Sequence, residues 1–160
     1  KLLGFKAPVI RIMPNINATV LEAMSAYCCS ESVTDDQKEF VNKLCSSFGK
    51  VMPLSESYFP LFCSIAGCAP AYAYMFIDSL ARSAVKNGMN KSVALEIAAQ
   101  TVLGSAKKIL ESDEHPWELI DKVCSPGGTT IEGVVSLQKD GFESAVCNAV
   151  DAALQKDKKV

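Results

Sequence analysis

The sequence lacks several patterns, and each absence argues against a particular class of function. It has no G-x-G-x-x-G fingerprint and no Gly-Lys-Ser/Thr loop, so neither a dinucleotide-binding turn nor a Walker phosphate loop is predicted. None of its seven cysteines forms Cys-x-x-Cys, and His115 is its one histidine, which argues against a zinc site. We therefore expect no metal, and free thiols buried in a protein of the reducing cytoplasm.

Charge and hydropathy exclude other classes. The formal net charge is −2, which does not give the basic surface that nucleic-acid binding needs. With 49% hydrophobic residues the chain is not of the disordered type. No signal peptide and no long uncharged apolar run is evident. The most apolar stretch, 58–77, contains Pro60, Gly67 and Pro70, which we expect to break a membrane span.

The chain begins with an alternation of strands and one helix. Short strands are predicted at Ala7–Met13, Ala23–Cys29 and Lys50–Leu54. A capping box formed by Thr34 and Gln37 opens a helix that Gly49 ends. This alternation is typical of a doubly wound α/β fold, and it stops near Ser55.

From Glu56 onward the pattern is helical and no strand is predicted. The helices from Pro70 and from Asn90 are apolar on nearly every face, so they need a partner to be buried. We expect an intertwined dimer. The predicted helices cover Glu56–Ile65, with a break at Gly67, then Pro70–Gly88, Asn90–Leu110, a short one from Pro116 to Val123, Thr129–Lys139 and Phe142–Lys156.

The stretch Ser125–Gly133, reading SPGGTTIEG, carries the strongest chemical signal. Proline and paired glycines predict a tight loop, and Thr129 with Glu132 forms the pattern of a capping box at the start of a helix. Backbone N–H groups at the positive end of a helix dipole can hold a carboxylate or phosphate. Without further evidence, the same pattern is also common as plain helix punctuation.

Three motifs together resemble the carboxy-terminal half of pyrroline-5-carboxylate reductase. They are the SPGGTTIEG loop, Met13-Pro14-Asn15, and Gly67–Tyr72, which reads GCAPAY. The resemblance runs from about Val9 to the last helix and implies a mainly α fold. Residues 1–55 would be the remnant of a dinucleotide-binding domain, and residues 56–160 an all-helical dimerisation and substrate-binding domain. The chain begins at Lys1, so we expect about a hundred residues of cofactor domain upstream.

The resemblance implies reduction of 1-pyrroline-5-carboxylate to L-proline with NADPH or NADH. The cofactor would be bound mainly by the missing domain, with Met13, Pro14 and Asn15 near the nicotinamide. A substrate carboxylate would be held by the backbone amides of Gly128, Thr129 and Thr130 together with Ser125. The Thr130 hydroxyl would be the catalytic group and would hydrogen-bond the ring nitrogen.

Other positions are implied or left open. Glu56 matches a family glutamate that approaches the substrate, although alone it is an ordinary helix-dipole partner. His115 invites a general-acid interpretation, but a structural histidine bonded to a loop carbonyl is favoured. Cys63 stands where the family has threonine, and Cys68 and Ala69 replace serine and glycine. If that turn needs a left-handed backbone, Ala69 is strained.

The family assembles as a homodimer with swapped helices, and many members form rings of dimers. Two alternatives stay open from sequence. One is a catalytically silent helical dimerisation module, and the other is a related imine or hydroxy-acid reductase with a different substrate. The preference for NADH or NADPH is set in the cofactor domain.

Overall fold

The computed structural model describes residues 7–157, with three strands and then helices, as predicted. By spatial contact the described residues form two compact units, residues 7–71 with 149–157 and residues 72–148. The domain boundary near Ser55 stays a prediction. The strands are β1 (Ile10–Met13), β2 (Ala23–Cys29) and β3 (Gly49–Pro53); the α-helices are α1 (Asp35–Ser46), α2 (Phe59–Phe62), α3 (Ala69–Lys86), α4 (Lys91–Leu110), α5 (Pro116–Val123), α6 (Thr129–Lys139) and α7 (Phe142–Asp157).

The first unit is built on a mixed three-stranded sheet with β2 in the centre. Strand β1 pairs antiparallel with β2, and β3 pairs parallel with it. The central strand is buried because its neighbours and α1 cover it, and its short residues Ala23, Ser25 and Ala26 are almost fully inaccessible. Strand β2 follows β1 without a crossover helix and therefore runs antiparallel to β1. Helix α1 provides the crossover that lets β3 run parallel to β2.

Helix α1 closes one face of this sheet. The capping box is confirmed, since the Thr34 hydroxyl accepts the N–H of Gln37 at 3.3 Å and the Gln37 amide oxygen accepts the N–H of Thr34 at 3.0 Å. Val41 and Cys45 lie one helical turn apart and pack against Tyr27 of β2. This cluster is the core of the first unit.

The expectation that Pro60, Gly67 and Pro70 end the apolar stretch is wrong, because residues 56–86 form one helical run. The run is irregular where the interruption at Gly67 was predicted, with a π turn that ends at Gly67 and a turn residue at Cys68. A 3₁₀ turn (Glu56–Tyr58) leads into α2, a π turn (Cys63–Gly67) and α3. Pro60 and Pro70 lie in the first turns of α2 and α3, where a missing N–H costs no helical bond. By length and composition this run would suffice to cross a membrane, and 17% of its most apolar 18 residues are buried. The core helix of a soluble protein meets the same criteria, and the absence of a membrane stays a prediction.

The second unit contains a close helix pair made of α4 and the part of α3 that belongs to this unit. Ala81, Ala94 and Ala98 are buried where the two helices meet, because small side chains let the backbones approach. At the connection Asp78 forms an ion pair with Lys91, which holds the pKa of the Asp78 carboxyl below its ordinary value.

The cysteines are free thiols, as expected, but the expectation that they are buried is wrong for six of the seven. Cys45 alone is buried, Cys147 is exposed and the others are half-buried. The reason is that each buried cluster among the described residues is small, so most thiols lie on helix faces or strand ends that this single chain leaves partly open.

We predict that Gly49→Ala destabilises the protein far more than Gly88→Ala does. Both glycines have positive φ, +150° and +96°. A Cβ at Gly49 would lie 2.2 Å from the Ala23 carbonyl oxygen, whereas the space at Gly88 is open. Backbone strain alone should cost about 1–2 kcal/mol at Gly88, and strain plus overlap about 3 kcal/mol or more at Gly49.

The measurement is urea unfolding of both variants beside the parent chain. Equal losses at the two positions would show that the contact between the first residues of β3 and β2 does not limit packing.

Candidate functional site

The loop before α6 is a type II turn over Ser125–Gly128. The N–H of Gly128 donates to the Ser125 carbonyl at 3.0 Å, and Gly127 has φ of +68°. Proline at the second position and glycine at the third are the residues that this turn type requires. The sequence SPGG therefore encodes a defined turn, and this turn delivers the chain to the first residue of α6.

Gly128 ends the turn and is the N-cap of α6. A Cβ at this position would lie 2.3 Å from the Ser125 hydroxyl oxygen, so that hydroxyl packs directly over the glycine. The capping box predicted for Thr129 is wrong: Thr129 is already the first helical residue, and no side chain caps the helix. A residue within the helix cannot place its hydroxyl where the N-cap oxygen lies.

This start leaves backbone donors free of helical acceptors. The N–H groups of Thr129, Thr130 and Ile131 are in the first turn, where no carbonyl of the same helix can accept them. Both threonines are exposed. The N–H of Gly128 is different, because the Ser125 carbonyl already accepts it. An anion at this end of α6 would meet N–H donors and the positive end of the helix dipole.

Asn15 follows β1 and uses both ends of its side-chain amide within the first unit. Its Nδ2 donates to the Ala66 carbonyl at 3.0 Å, and its Oδ1 accepts the N–H of Met24 at 3.2 Å. In a continuous α-helix the Ala66 carbonyl would accept the N–H of residue 70, but Pro70 has none. Asn15 therefore satisfies a carbonyl that the proline leaves without its helical donor.

Glu56 begins the 3₁₀ turn Glu56–Tyr58 and forms an ion pair with Arg11 of β1. The Arg11 Nη1 to Glu56 Oε1 distance is 2.7 Å, and the guanidinium carbon lies 4.6 Å from the centre of the Phe59 ring. The Cys28 thiol donates to the other carboxylate oxygen at 3.7 Å. Burial, and secondarily the Glu56 carboxylate, raises the pKa of Cys28.

Glu56 and Cys28 border an open groove of about 660 Å³ in the first unit. Its walls come from the ends of β2 and β3, from α1, and from the segment that leads to Glu56. Arg11 and Cys28 were not predicted as neighbours of Glu56. Arg11 is one exposed position in a short strand, and no spacing in the sequence connects it to a residue 45 positions later. The groove is lined by Tyr27, Cys28, Cys29, Lys38, Pro53, Leu54, Ser55 and Glu56.

His115 is a structural residue, although its bond differs from the one predicted. Its Nδ1 accepts the N–H of Trp117 at 3.2 Å, and its own N–H donates to the Glu118 carboxylate at 3.1 Å. The histidine is therefore the N-cap of α5, not a partner of a loop carbonyl. The glutamate three residues later was the sequence signal for this cap.

The predicted site residues belong to two different compact units. Met13, Pro14, Asn15 and Glu56 lie in the first, and Ser125–Thr130 lies in the second. Between residues 7 and 157 no group of three or more His, Cys, Asp or Glu side chains is arranged to hold a metal ion.

A short mixed sheet is followed by a helical region in which α6 begins without a side-chain cap, so the protein is of a mixed class that is mainly α-helical. A model of the family described as pyrroline-5-carboxylate reductase dimerisation matches residues 56–160. The chain belongs to this family.

Relatives and solved structures agree with this assignment. The pyrroline-5-carboxylate reductase of Aquifex aeolicus is 39% identical over all 160 residues, which cover 60% of that protein. The Streptococcus pyogenes 1-pyrroline-5-carboxylate reductase structure matches with a TM-score of 0.90 and 42% identity, over 96% of this chain and 59% of that one. A Plasmodium falciparum pyrroline carboxylate reductase, solved with NADP bound, matches with a TM-score of 0.90 and 36% identity, over 98% and 63%. The chain thus spans about 60% of the length of the relatives it matches.

We predict that Asn15→Ala lowers the free energy of unfolding, and that Pro70→Ala reduces this loss. Removing the amide leaves the Ala66 carbonyl unsatisfied, which should cost about 1–3 kcal/mol. With alanine at position 70, a backbone N–H becomes available to the same carbonyl. The coupling energy between the two substitutions should be about 1 kcal/mol.

The measurement is a double-mutant cycle of urea unfolding. Asn17→Ala, in the 3₁₀ turn Ile16–Val20 that directly follows Asn15, is the matched control for position 15. Strict additivity would contradict the assigned role of the Asn15 amide.

Proposed function

We propose that this chain is the dimerisation and substrate-binding part of a cytoplasmic enzyme that reduces 1-pyrroline-5-carboxylate to L-proline with NADPH or NADH. The observation that carries the proposal is the type II turn ahead of α6. It places free backbone donors and two threonine hydroxyls at one helix start, within the family-matched segment. A cyclic imine with a carboxylate is the kind of substrate that such a start can hold.

The carboxylate would be bound by the N–H groups of Thr129 and Thr130, together with the Ser125 hydroxyl. The N–H of Gly128 would contribute only if its bond to the Ser125 carbonyl were exchanged for the substrate. The Thr130 hydroxyl would then donate to, or accept from, the ring nitrogen and so select the face of the C=N bond that is reduced. This arrangement supplies positioning and electrostatic stabilisation.

The nicotinamide would lie beside Met13, Pro14 and Asn15. When bound, the cofactor supplies the hydride for the imine carbon. The residues fit this role through their backbone and the exposed Pro14 ring, because both polar atoms of the Asn15 amide hold the loop in place. Asn15 is thus a positioning residue for this segment.

Glu56 would approach the substrate as a carboxylate already paired with Arg11. At 2.7 Å the ion pair fixes the direction of one carboxylate oxygen. Both side chains are more than two-fifths exposed, so the pair orients the carboxylate more than it stabilises the fold.

We further propose that the protein is a homodimer with swapped helices and that dimers assemble into rings. Large apolar side chains of α4 are exposed in the single chain, among them Leu103 at 59% and Leu110 at 66%. Apolar surface of this kind on a long helix marks a surface that a partner covers. A second copy of the chain is the partner that the family name indicates.

The first test is Thr130→Ala in the full-length protein encoded by the gene. Loss of one directed hydrogen bond in the transition state should lower kcat/KM for the cyclic imine by about tenfold or more. Thr130→Ser should restore most of the activity, since it retains the hydroxyl. Thr129→Ala is the matched control and should change kcat/KM little, because only its backbone N–H is used. An unchanged kcat/KM for Thr130→Ala would remove this hydroxyl from the mechanism.

The dimer is tested separately with Leu103→Lys. A buried lysine at the interface should weaken dimerisation by a factor of about ten or more, measured by sedimentation equilibrium. Ile16→Lys is a matched control, since Ile16 is also 59% exposed but lies in the 3₁₀ turn of the first unit. Equal association of the two variants would show that this face of α4 is not the interface.

The silent-module alternative is distinguished by the gene itself. A strand, a G-x-G-x-x-G turn and a helix in frame upstream of Lys1 would support the reductase. A start codon directly before Lys1, with no NAD(P)H oxidation by the purified chain, would support a dimerisation module. Kinetics with several cyclic imines would test the other alternative, a different substrate.

A further inference from the structure

The π turn between α2 and α3 brings together two cysteines that no catalytic role uses. The N–H of Cys68 donates to the Cys63 carbonyl at 3.0 Å, which closes the i→i+5 ring of a π turn. In a regular α-helix, side chains five residues apart point about 140° away from each other. The wider turn instead places residues 63 and 68 on the same side of the helix.

Burial, and after it the neighbouring Cys68 side chain, raise the pKa of the Cys63 thiol, so the two thiols interact on that side. Gly67 leaves the space this contact needs, because a Cβ there would lie only 3.3 Å from the Cys63 sulfur. Both thiols are half-buried, so small reagents can reach them.

We propose that Cys63 and Cys68 are a modification site, a dithiol that hydrogen peroxide converts reversibly into an intrachain disulfide. One thiolate attacks the peroxide; the O–O bond breaks, a sulfenic acid forms, and the departing hydroxide takes up a proton to become water. The second thiol attacks that sulfur; the S–S bond forms, the S–O bond breaks, and a second water leaves. Two thiols and one peroxide thus give one disulfide and two waters, and an excess of a small dithiol reverses the oxidation.

The surroundings indicate that this reaction is slow. Burial is the main influence on Cys63 and raises the pKa of its thiol, whereas the positive charge of Arg11 acts in the opposite direction. A smaller thiolate fraction means slower attack on peroxide. The pair is therefore expected to respond to sustained oxidation, not to a brief pulse.

The sequence makes the test direct. No lysine or arginine lies between Val51 and Ala81, so trypsin releases residues 51–82 as one peptide, and its only cysteines are Cys63 and Cys68. The reduced full chain is treated with hydrogen peroxide, alkylated while denatured, and digested. We expect this peptide to carry no alkyl group and to have lost two hydrogen atoms in mass. Without reduction, five of the seven thiols in the chain should still be alkylated. Reduction before alkylation should restore two labels on this peptide.

Variants separate this pair from the other thiols. Cys68→Ser and Cys63→Ser should each abolish the internal link, and Cys147→Ser, at the exposed cysteine, should leave it unchanged. Cys68→Ser and Cys63→Ser are both made in case one of them fails to fold, and circular dichroism checks the fold of each variant. Full alkylation of the peptide after oxidation, linkage of either cysteine to a different peptide, or sulfinic acid without a disulfide would each overturn the proposal.

Discussion

The carbonyl of Ala66 is the constraint on which the first unit depends. Pro70 removes the N–H that this carbonyl would accept in a helix, and a polar group left without a partner in a packed region costs as much as a lost hydrogen bond. The Asn15 amide satisfies it and at the same time receives the N–H of Met24 at the start of β2. Pro70 of the GCAPAY motif therefore explains the role of Asn15 in the Met13-Pro14-Asn15 motif. The Asn15 amide holds the loop after β1 against the π turn. A segment expected to border a nicotinamide gains its rigidity from this bond.

The start of α6 shows the opposite use of backbone groups. There the helix begins without a side-chain cap, and the turn uses only the N–H of Gly128. A Thr129 cap would have consumed a donor of the first turn, so the absence of the predicted capping box leaves more N–H groups for an anion. Pro126 and Gly127 determine the turn type, and a side chain at position 128 would have to displace the Ser125 hydroxyl.

Sequence reasoning succeeded where a local signal determines the structure. Strand β2 and helix α6 have the predicted bounds, and Thr34 caps α1 as predicted, because alternation, turns and caps act over a few residues. It located the irregularity at Gly67 but missed that the chain there forms a π turn within one helical run, which no propensity scale describes. It also missed the Arg11 contact with Glu56, which is formed only when distant segments meet. The loop residues of the candidate site could be named from sequence, but their use of individual N–H groups could not.

The same π turn explains why Ala69 is tolerated where the family pattern has glycine. Leu21 is the one non-glycine residue of 7–157 with a positive φ. Ala69 therefore adopts no left-handed backbone, and the backbone strain considered for it from the sequence does not arise. It is the first residue of α3, and Cys68 before it has φ of −90° and ψ of −36°, close to helical values. Alanine favours a helix over glycine by about 1 kcal/mol, so the replacement supports the start of α3. The departure from the family pattern therefore concerns the shape of the helix and not the chemistry of the α6 loop.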